Sequence, residues 1–197
     1  MTILVIPFAG AEGKTRLHAS RRARRALSLA MLGDVLSACV AVGTTRIVTP
    51  DAEAAAVAEE FGAATVDDPG EGQGPAVAAA LVDLEPGPIL IVNADLPCVV
   101  PADLRALLAA TPAGGVALVE ALDGTTNALS IPAPNVFAPL YGRDSAARFR
   151  EHADELGLEA VSTSVPNIAE DVDTVEDLQR LQLRCGPRTQ AVLAEVL

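Results

Sequence analysis

The chain predicts an α/β fold, a mainly parallel sheet covered by helices, on three observations. Apolar strand patterns and helix-period patterns alternate through the first two-thirds of the 197 residues. The strand at 88–92 is a short unbroken apolar run, as expected of a strand buried on both faces. Loops rich in glycine and charge follow several of the strands, at the ends where open α/β sheets bind ligands.

The first strand spans 2–6 and breaks into Pro7-Phe8-Ala9-Gly10-Ala11-Glu12-Gly13-Lys14-Thr15-Arg16. A long helix follows over about 19–42, with Ala23, Leu27, Ala30, Met31, Val35 and Ala38 on one face and Arg21, Arg22, Arg24 and Arg25 on a solvated one. Next come a strand at 46–49, a helix at 52–61 that stops at Gly62, and a short strand at 64–66. The loop from Asp67 to Pro75 carries Gly70, Gly72 and Gly74 and opens into a helix at 76–84, with Pro75 in its first turn. A buried strand at 88–92 runs directly into Asn93-Ala94-Asp95-Leu96-Pro97. A helix at 101–110, a strand at 116–121 and a turn leading into a strand over 123–131 complete the alternation. Ser145 reads as the N-cap of a helix at 146–156, and Glu176-Asp177-Leu178 as the first turn of a late helix. No repeat, low-complexity tract or linker divides the chain, so one domain over 1–197 is expected.

Composition narrows the function. Half the residues are apolar but only 3% are aromatic, so Ala, Val and Leu must build the core. No apolar run approaches the roughly 18 residues of a membrane span, and the start lacks the pattern of a secretory signal, so no membrane partner is expected. Three widely spaced cysteines argue against a disulfide framework and for the reducing cytoplasm. With two histidines and no Cys/His spacing, a zinc centre is excluded. A formal charge of −12 argues against nucleic acid as partner.

Against that acidity, Lys14 is the single lysine of a chain that otherwise uses arginine, and it stands beside Arg16 in the first loop. A compact ammonium at a strand end suits phosphate chemistry, although a solvated charge would look the same. Asp95, at another strand end, could hold a cation on that phosphate; a further acidic run, Asp171-Val172-Asp173-Thr174, precedes the late helix, where Asp173 or Thr174 suits an N-cap. The loop around Gly72 and Gln73 is a candidate base-recognition segment or a plain surface turn.

Taken together, Gly13-Lys14-Thr15-Arg16-Leu17, Asn93-Ala94-Asp95-Leu96-Pro97, Gly124-Thr125-Thr126-Asn127-Ala128-Leu129, Tyr141-Gly142-Arg143-Asp144-Ser145 and Asp171-Val172-Asp173-Thr174-Val175-Glu176-Asp177-Leu178 resemble one family. It is the 2-phospho-L-lactate or phosphoenolpyruvate guanylyltransferase family of coenzyme F420 biosynthesis. The resemblance runs in order from Thr2 to about Leu183 and is narrowest at Thr126-Asn127-Ala128-Leu129 with Gly142-Arg143-Asp144-Ser145. It implies a single-domain, GT-A-like and Rossmann-like nucleotidyltransferase fold that moves GMP from GTP onto a small phosphorylated three-carbon acid. By resemblance, Lys14, Arg16 and Asp95 are catalytic; Lys14, Gly72 and Gln73 meet the nucleotide; Thr126, Asn127, Gly142 and Ser145 meet the acceptor. Asp95 and Asp173 would hold Mg2+. The implied partners are GTP, the acceptor and a downstream transferase that consumes the product, with a homodimer as a candidate assembly. Gly74 stands where the family often has asparagine, which leaves Gln73 or backbone groups to read guanine, and Phe8 stands where many relatives have a basic residue. Competing readings are a nucleotidyltransferase acting on a molybdopterin or sugar phosphate and a catalytically silent nucleotide-binding protein.

Overall fold

Strands at Ile3–Pro7 (β1), Thr44–Val48 (β2), Ala64–Val66 (β3), Ile89–Val92 (β4), Val116–Glu120 (β5), Thr126–Ile131 (β6) and Ala160–Ser162 (β7) form one sheet in the computed structural model, which describes residues 1–10 and 20–196. Their spatial order is β3-β2-β1-β4-β6-β5-β7. β1 pairs in parallel with β2 and β4, and β2 with β3, while β6 runs antiparallel to β4 and β5. This reversal has a functional consequence: the start of β6 lies at the same sheet edge as the end of β4.

Helices at Arg21–Val40 (α1), Ala52–Glu60 (α2), Gln73–Leu81 (α3), Pro101–Ala110 (α4), Ser145–Glu155 (α5), Pro166–Ala169 (α6), Val175–Leu181 (α7) and Pro187–Val196 (α8) cover the sheet. The period-2 geometry of a strand divides each apolar run between two cores. Leu4, Ile6, Leu90 and Val92 pack with Leu32 and Leu36 of α1 and Leu104 and Leu107 of α4. Val5, Ile89, Ile91 and Leu129 pack on the opposite face with Val77 of α3 and Phe149 of α5. β4 and β6 are buried at every position, which is why their sequences lack polar alternation.

A third cluster joins Leu27 and Met31 of α1 to Leu178 and Leu181 of α7, Leu193 of α8, Cys98 and Cys185. The three cysteines are buried and unbridged. Asp34 of α1, buried at 4% exposure, closes this corner by accepting from the backbone N–H groups of Arg188 (3.1 Å) and Thr189 (2.9 Å), which caps α8. Among the described residues no helix is long and apolar enough to cross a membrane.

The structure departs from the sequence reading at several places. The helix expected at 76–84 begins at Gln73 and ends at Leu81. Gly72, at φ 102°, makes the left-handed entry that lets it start early, and Val82 leaves helical geometry at ψ 138°. Ser145 is not the N-cap of α5; Asp144 takes that position in the left-handed region at φ 55°, and Ser145 is the first helical residue. Arg25 is not merely solvated: it ion-pairs with Asp51, the N-cap of α2, and with Glu53. β7, α6 and α8 were not anticipated. The Gly186-Pro187 dipeptide ahead of Leu193 was an available signal for α8.

Candidate functional site

A cleft of about 500 Å3 opens at the carboxyl ends of β1 and β4, lined by Phe8, Gly10, Gln73, Asn93, Asp95 and Asp173 among others. Its size suits a nucleotide-sized ligand. Gly72 also lines it, and so do Ser28 and Met31 on α1. Lys14 and Arg16 lie outside the described residues.

The acidic end is built by two strand-loop junctions. β4 ends at Val92 and carries Asp95 into the cleft; the chain after α6 returns beside it because Val172 N–H donates to the Asp95 carbonyl at 3.1 Å. Val172 is fully buried in the third cluster, and it separates Asp171 from Asp173. One carboxylate oxygen from each of Asp95, Asp171 and Asp173 lies within 4.8 Å of the other two. Burial pushes the Asp171 carboxyl up from its ordinary value, the charges of Asp95 and Asp173 push the same way, and the hydrogen bond from Asn127 opposes them. Crowded carboxylates of this kind fit a hard divalent cation such as magnesium, which takes oxygen ligands and would relieve their repulsion. The neighbouring Thr174 takes the N-cap of α7, its hydroxyl accepting from Asp177 N–H, so the capping task does not fall on Asp173.

Asp171 was visible in the sequence as part of an acidic run but not as a distinct partner of Asp95. Two other cleft residues were not singled out. Asn93 links both sides of the site, as described below. Ser28 is 3% exposed, and its Oγ has no hydrogen-bond partner among the described residues although it lines the cleft. A small hydroxyl on an otherwise apolar helix face was the available signal.

Thr126, Gly142 and Ser145 meet at the start of β6. Ser145 Oγ donates to Thr126 Oγ1 at 3.1 Å with both groups buried, and Ser145 N–H donates to the Gly142 carbonyl. Gly142 sits at φ 109°, a conformation that strains any other residue. The group adjoins the cleft through Asn93, whose Nδ2 donates to the Thr126 carbonyl at 3.2 Å. Asn127 is as buried as Thr126 and Ser145 but has different partners: its Nδ2 donates to the Ile168 carbonyl (2.8 Å) and to Asp171 Oδ1 (3.3 Å), which ties its amide to the carboxylate cluster.

Gly72 and Gln73 line the same cleft. Gly72 caps α3 without any side-chain bond, leaving the first turn uncapped. Gly74 packs against the backbone of Pro139: an added Cβ would lie 2.6 Å from Pro139 Cβ and 3.0 Å from its Cα. An asparagine at this position would require Pro139 to move, which accounts for glycine here.

The family described as guanylyl transferase CofC like matches residues 1–192. A phosphoenolpyruvate guanylyltransferase of Streptomyces coelicolor is 40% identical, covering 98% of this chain and 96% of that protein. One of Conexibacter woesei is 37% identical, covering 92% of this chain and 87% of that protein. Among solved structures, a Desulfovibrio desulfuricans protein described as a nucleotide-diphospho-sugar transferase superposes with a TM-score of 0.77 at 18% identity, covering 98% of this chain and 94% of that one. A nucleotidyl transferase from Methanothermobacter gives 0.70 at 17% identity, covering 99% of both chains. The structural neighbours establish the nucleotidyltransferase fold, and the family match over nearly the whole length establishes that this chain belongs to the CofC-like guanylyl transferases.

Proposed function

We propose that this protein transfers GMP from GTP to phosphoenolpyruvate, releasing diphosphate, in coenzyme F420 biosynthesis. The observation that carries the reading is the cluster of the Asp95, Asp171 and Asp173 carboxylates at a cleft that Gly72 and Gln73 also line. Membership of a guanylyl transferase family and the shared name of its relatives support GTP as donor and phosphoenolpyruvate as acceptor.

The acceptor phosphate is already ionised near neutral pH, so the reaction needs no histidine or cysteine base. A phosphate oxygen forms a bond to the α-phosphorus of GTP as the bond from that phosphorus to the bridging oxygen breaks, and the electron pair leaves with diphosphate. The tasks left to the chain are alignment and neutralisation of crowded negative charge. Asp95, Asp171 and Asp173 would hold magnesium, which when bound supplies positive charge against the triphosphate. Lys14 and Arg16 take the phosphate-binding role implied by the family resemblance. Thr126 and Ser145, with Gly142 bringing their loops together, form the acceptor side. The product is a reactive mixed phosphoanhydride, which suits immediate consumption by a downstream transferase.

The test supplies GTP and magnesium with phosphoenolpyruvate, 2-phospho-L-lactate or 3-phosphoglycerate in turn, and couples the mixture to that transferase. The expected result is diphosphate release that requires GTP and one of these acids and is fastest with phosphoenolpyruvate. Equal release with a sugar phosphate, or none with any of the three acids, would overturn the reading.

A further inference from the structure

A chain of side-chain amides links the carboxylate cluster to Gln73, and backbone carbonyls dictate its polarity. Asn127 Nδ2 points at the Ile168 carbonyl at 2.8 Å, an oxygen that can only accept. Its Oδ1 must then face the other way, where it accepts from Asn93 Nδ2 at 3.3 Å. Asn93 Nδ2 is held a second time by the Thr126 carbonyl at 3.2 Å, and Asn93 N–H donates to the Asn127 carbonyl at 3.0 Å. Reversing either amide would set oxygen against oxygen at a backbone carbonyl, so the network assigns both orientations. Asn93 Oδ1 is thereby an acceptor, and it receives Gln73 Nε2 at 2.7 Å, the shortest link of the chain. Gln73 lines the cleft, and the bond from one of its two Nε2 hydrogens to Asn93 fixes which way its amide faces; Oε1 has no hydrogen bond among the described residues and is the acceptor it offers a ligand.

We propose that Gln73 reads the nucleotide base through Oε1 as a hydrogen-bond acceptor, and that Asn93 is the positioning residue that holds this polarity. The inference rests on the reading of the cleft as a GTP site. Guanine carries adjacent donors on one edge, the ring N1–H and the exocyclic amino group, and both suit an acceptor at this position. Inosine keeps the first and lacks the second, and adenine presents an unprotonated ring nitrogen where guanine has N1–H. A carbonyl oxygen in a partly dehydrated cleft would be left opposite that lone pair, which is how a polar site rejects the wrong base. The same chain ends on Asp171, so the side chains that orient the base reader also brace the carboxylate cluster.

The polarity makes a signed test possible. Gln73→Glu keeps an acceptor and removes the donor, whereas Gln73→Lys keeps a donor and removes the acceptor. The measurement is kcat/KM for GTP, inosine triphosphate and ATP, read as ratios within each variant so that a general change in rate cancels. Gln73→Glu keeps an acceptor at either end but loses the bond to Asn93 Oδ1, so it should still prefer GTP to ATP with a reduced ratio, whereas Gln73→Lys should lower the ratio further, by about tenfold or more from the parent. The GTP preference over inosine triphosphate should vanish in Gln73→Lys as well. Asn93→Leu, which frees Gln73 to turn over, should lower the GTP to ATP ratio while melting cooperatively; a merely structural role would change stability and leave the ratio alone. Retained preference in Gln73→Lys with loss in Gln73→Glu would overturn the assignment, because the group read would then be a donor. An unchanged ratio in all three variants would remove Gln73 from base recognition. A parent enzyme with no preference for GTP would instead sink the functional reading itself, and this inference with it.

Discussion

The backbone N–H of Val172 donates to the carbonyl oxygen of Asp95 across 3.1 Å, and this bond joins the two acidic segments of the site. Val172 is fully buried, so the loop is anchored from both the apolar and the polar side. Asp171 and Asp173 flank the anchor, and each brings one oxygen within 4.8 Å of Asp95.

Asp95→Asn, Asp171→Asn and Asp173→Asn should each lower turnover by about a hundredfold or more, the scale of losing one electrostatic transition-state contact. Asp171→Asn should at the same time raise the melting temperature of the metal-free protein. Burial and the neighbouring carboxylates disfavour its charge, and an amide oxygen can still accept from Asn127. Thermal shift with and without magnesium, alongside steady-state rates, checks both parts. Turnover within about threefold of the parent would take that residue out of the site.

Lys14→Arg should impair turnover by about tenfold or more even though charge is conserved, because a planar fork does not occupy the volume of an ammonium beside a triphosphate. Normal turnover together with normal GTP affinity in this variant would refute the phosphate role of the single lysine.

Thr126→Ala and Ser145→Ala should raise the KM of the acceptor with GTP parameters nearly unchanged. Their hydroxyls are bonded to each other at 3.1 Å, so the two substitutions should not add: the second should cost little once the first is made. Each single variant should lose about 1 kcal/mol of stability, the net value of one hydrogen bond. Additive losses in a double-mutant cycle would show that the pair does not act as a unit.

Asp177 closes the capping box of α7, its Oδ2 accepting from the N–H groups of Asp173 and Thr174 and from the Thr174 hydroxyl. Burial pushes its carboxyl up, but the hydrogen bonds from Thr174, Arg180 and the backbone outweigh burial and bring it below the ordinary value. A depressed folded value means stability that is present above the unfolded pKa of about 3.9 and lost as pH falls through the folded value. Asp177→Ala should therefore cost about 1 kcal/mol near neutral pH and flatten the acid limb of the stability curve. Denaturant melts at pH 7 and below pH 4 check this; an unchanged acid limb would count against it.

Much of this molecule is legible along the chain because the deciding physics is local. The unbroken apolar run that ends in Asn93-Ala94-Asp95 announces a doubly buried strand delivering a carboxylate to a sheet edge, and the structure places β4 at Ile89–Val92 with Asp95 in the cleft. The helix at Pro101–Ala110 is written in its N-terminal proline, and the strand at Ala64–Val66 in the Gly62 stop before it. The single lysine and the motif pair around Thr126 and Ser145 carry the family at the level of residue identity. What the chain could not declare is which distant polar groups face each other. Ser145 has a capping residue's composition, yet the antiparallel return of β6 puts Thr126 against its hydroxyl and leaves the N-cap to Asp144. Asn127 sits inside a motif associated with the acceptor, yet α6 and the loop after it take its amide, through the Ile168 carbonyl and Asp171. Asp171 and Asp173 look equivalent in the sequence; only the docking of Val172 on Asp95 and of Asn127 on Asp171 gives each its place. Strand and helix signals need only the spacing of apolar side chains, whereas a hydrogen-bond partner is chosen by the crossing of segments far apart in the chain, and that choice exists only once the sheet has formed.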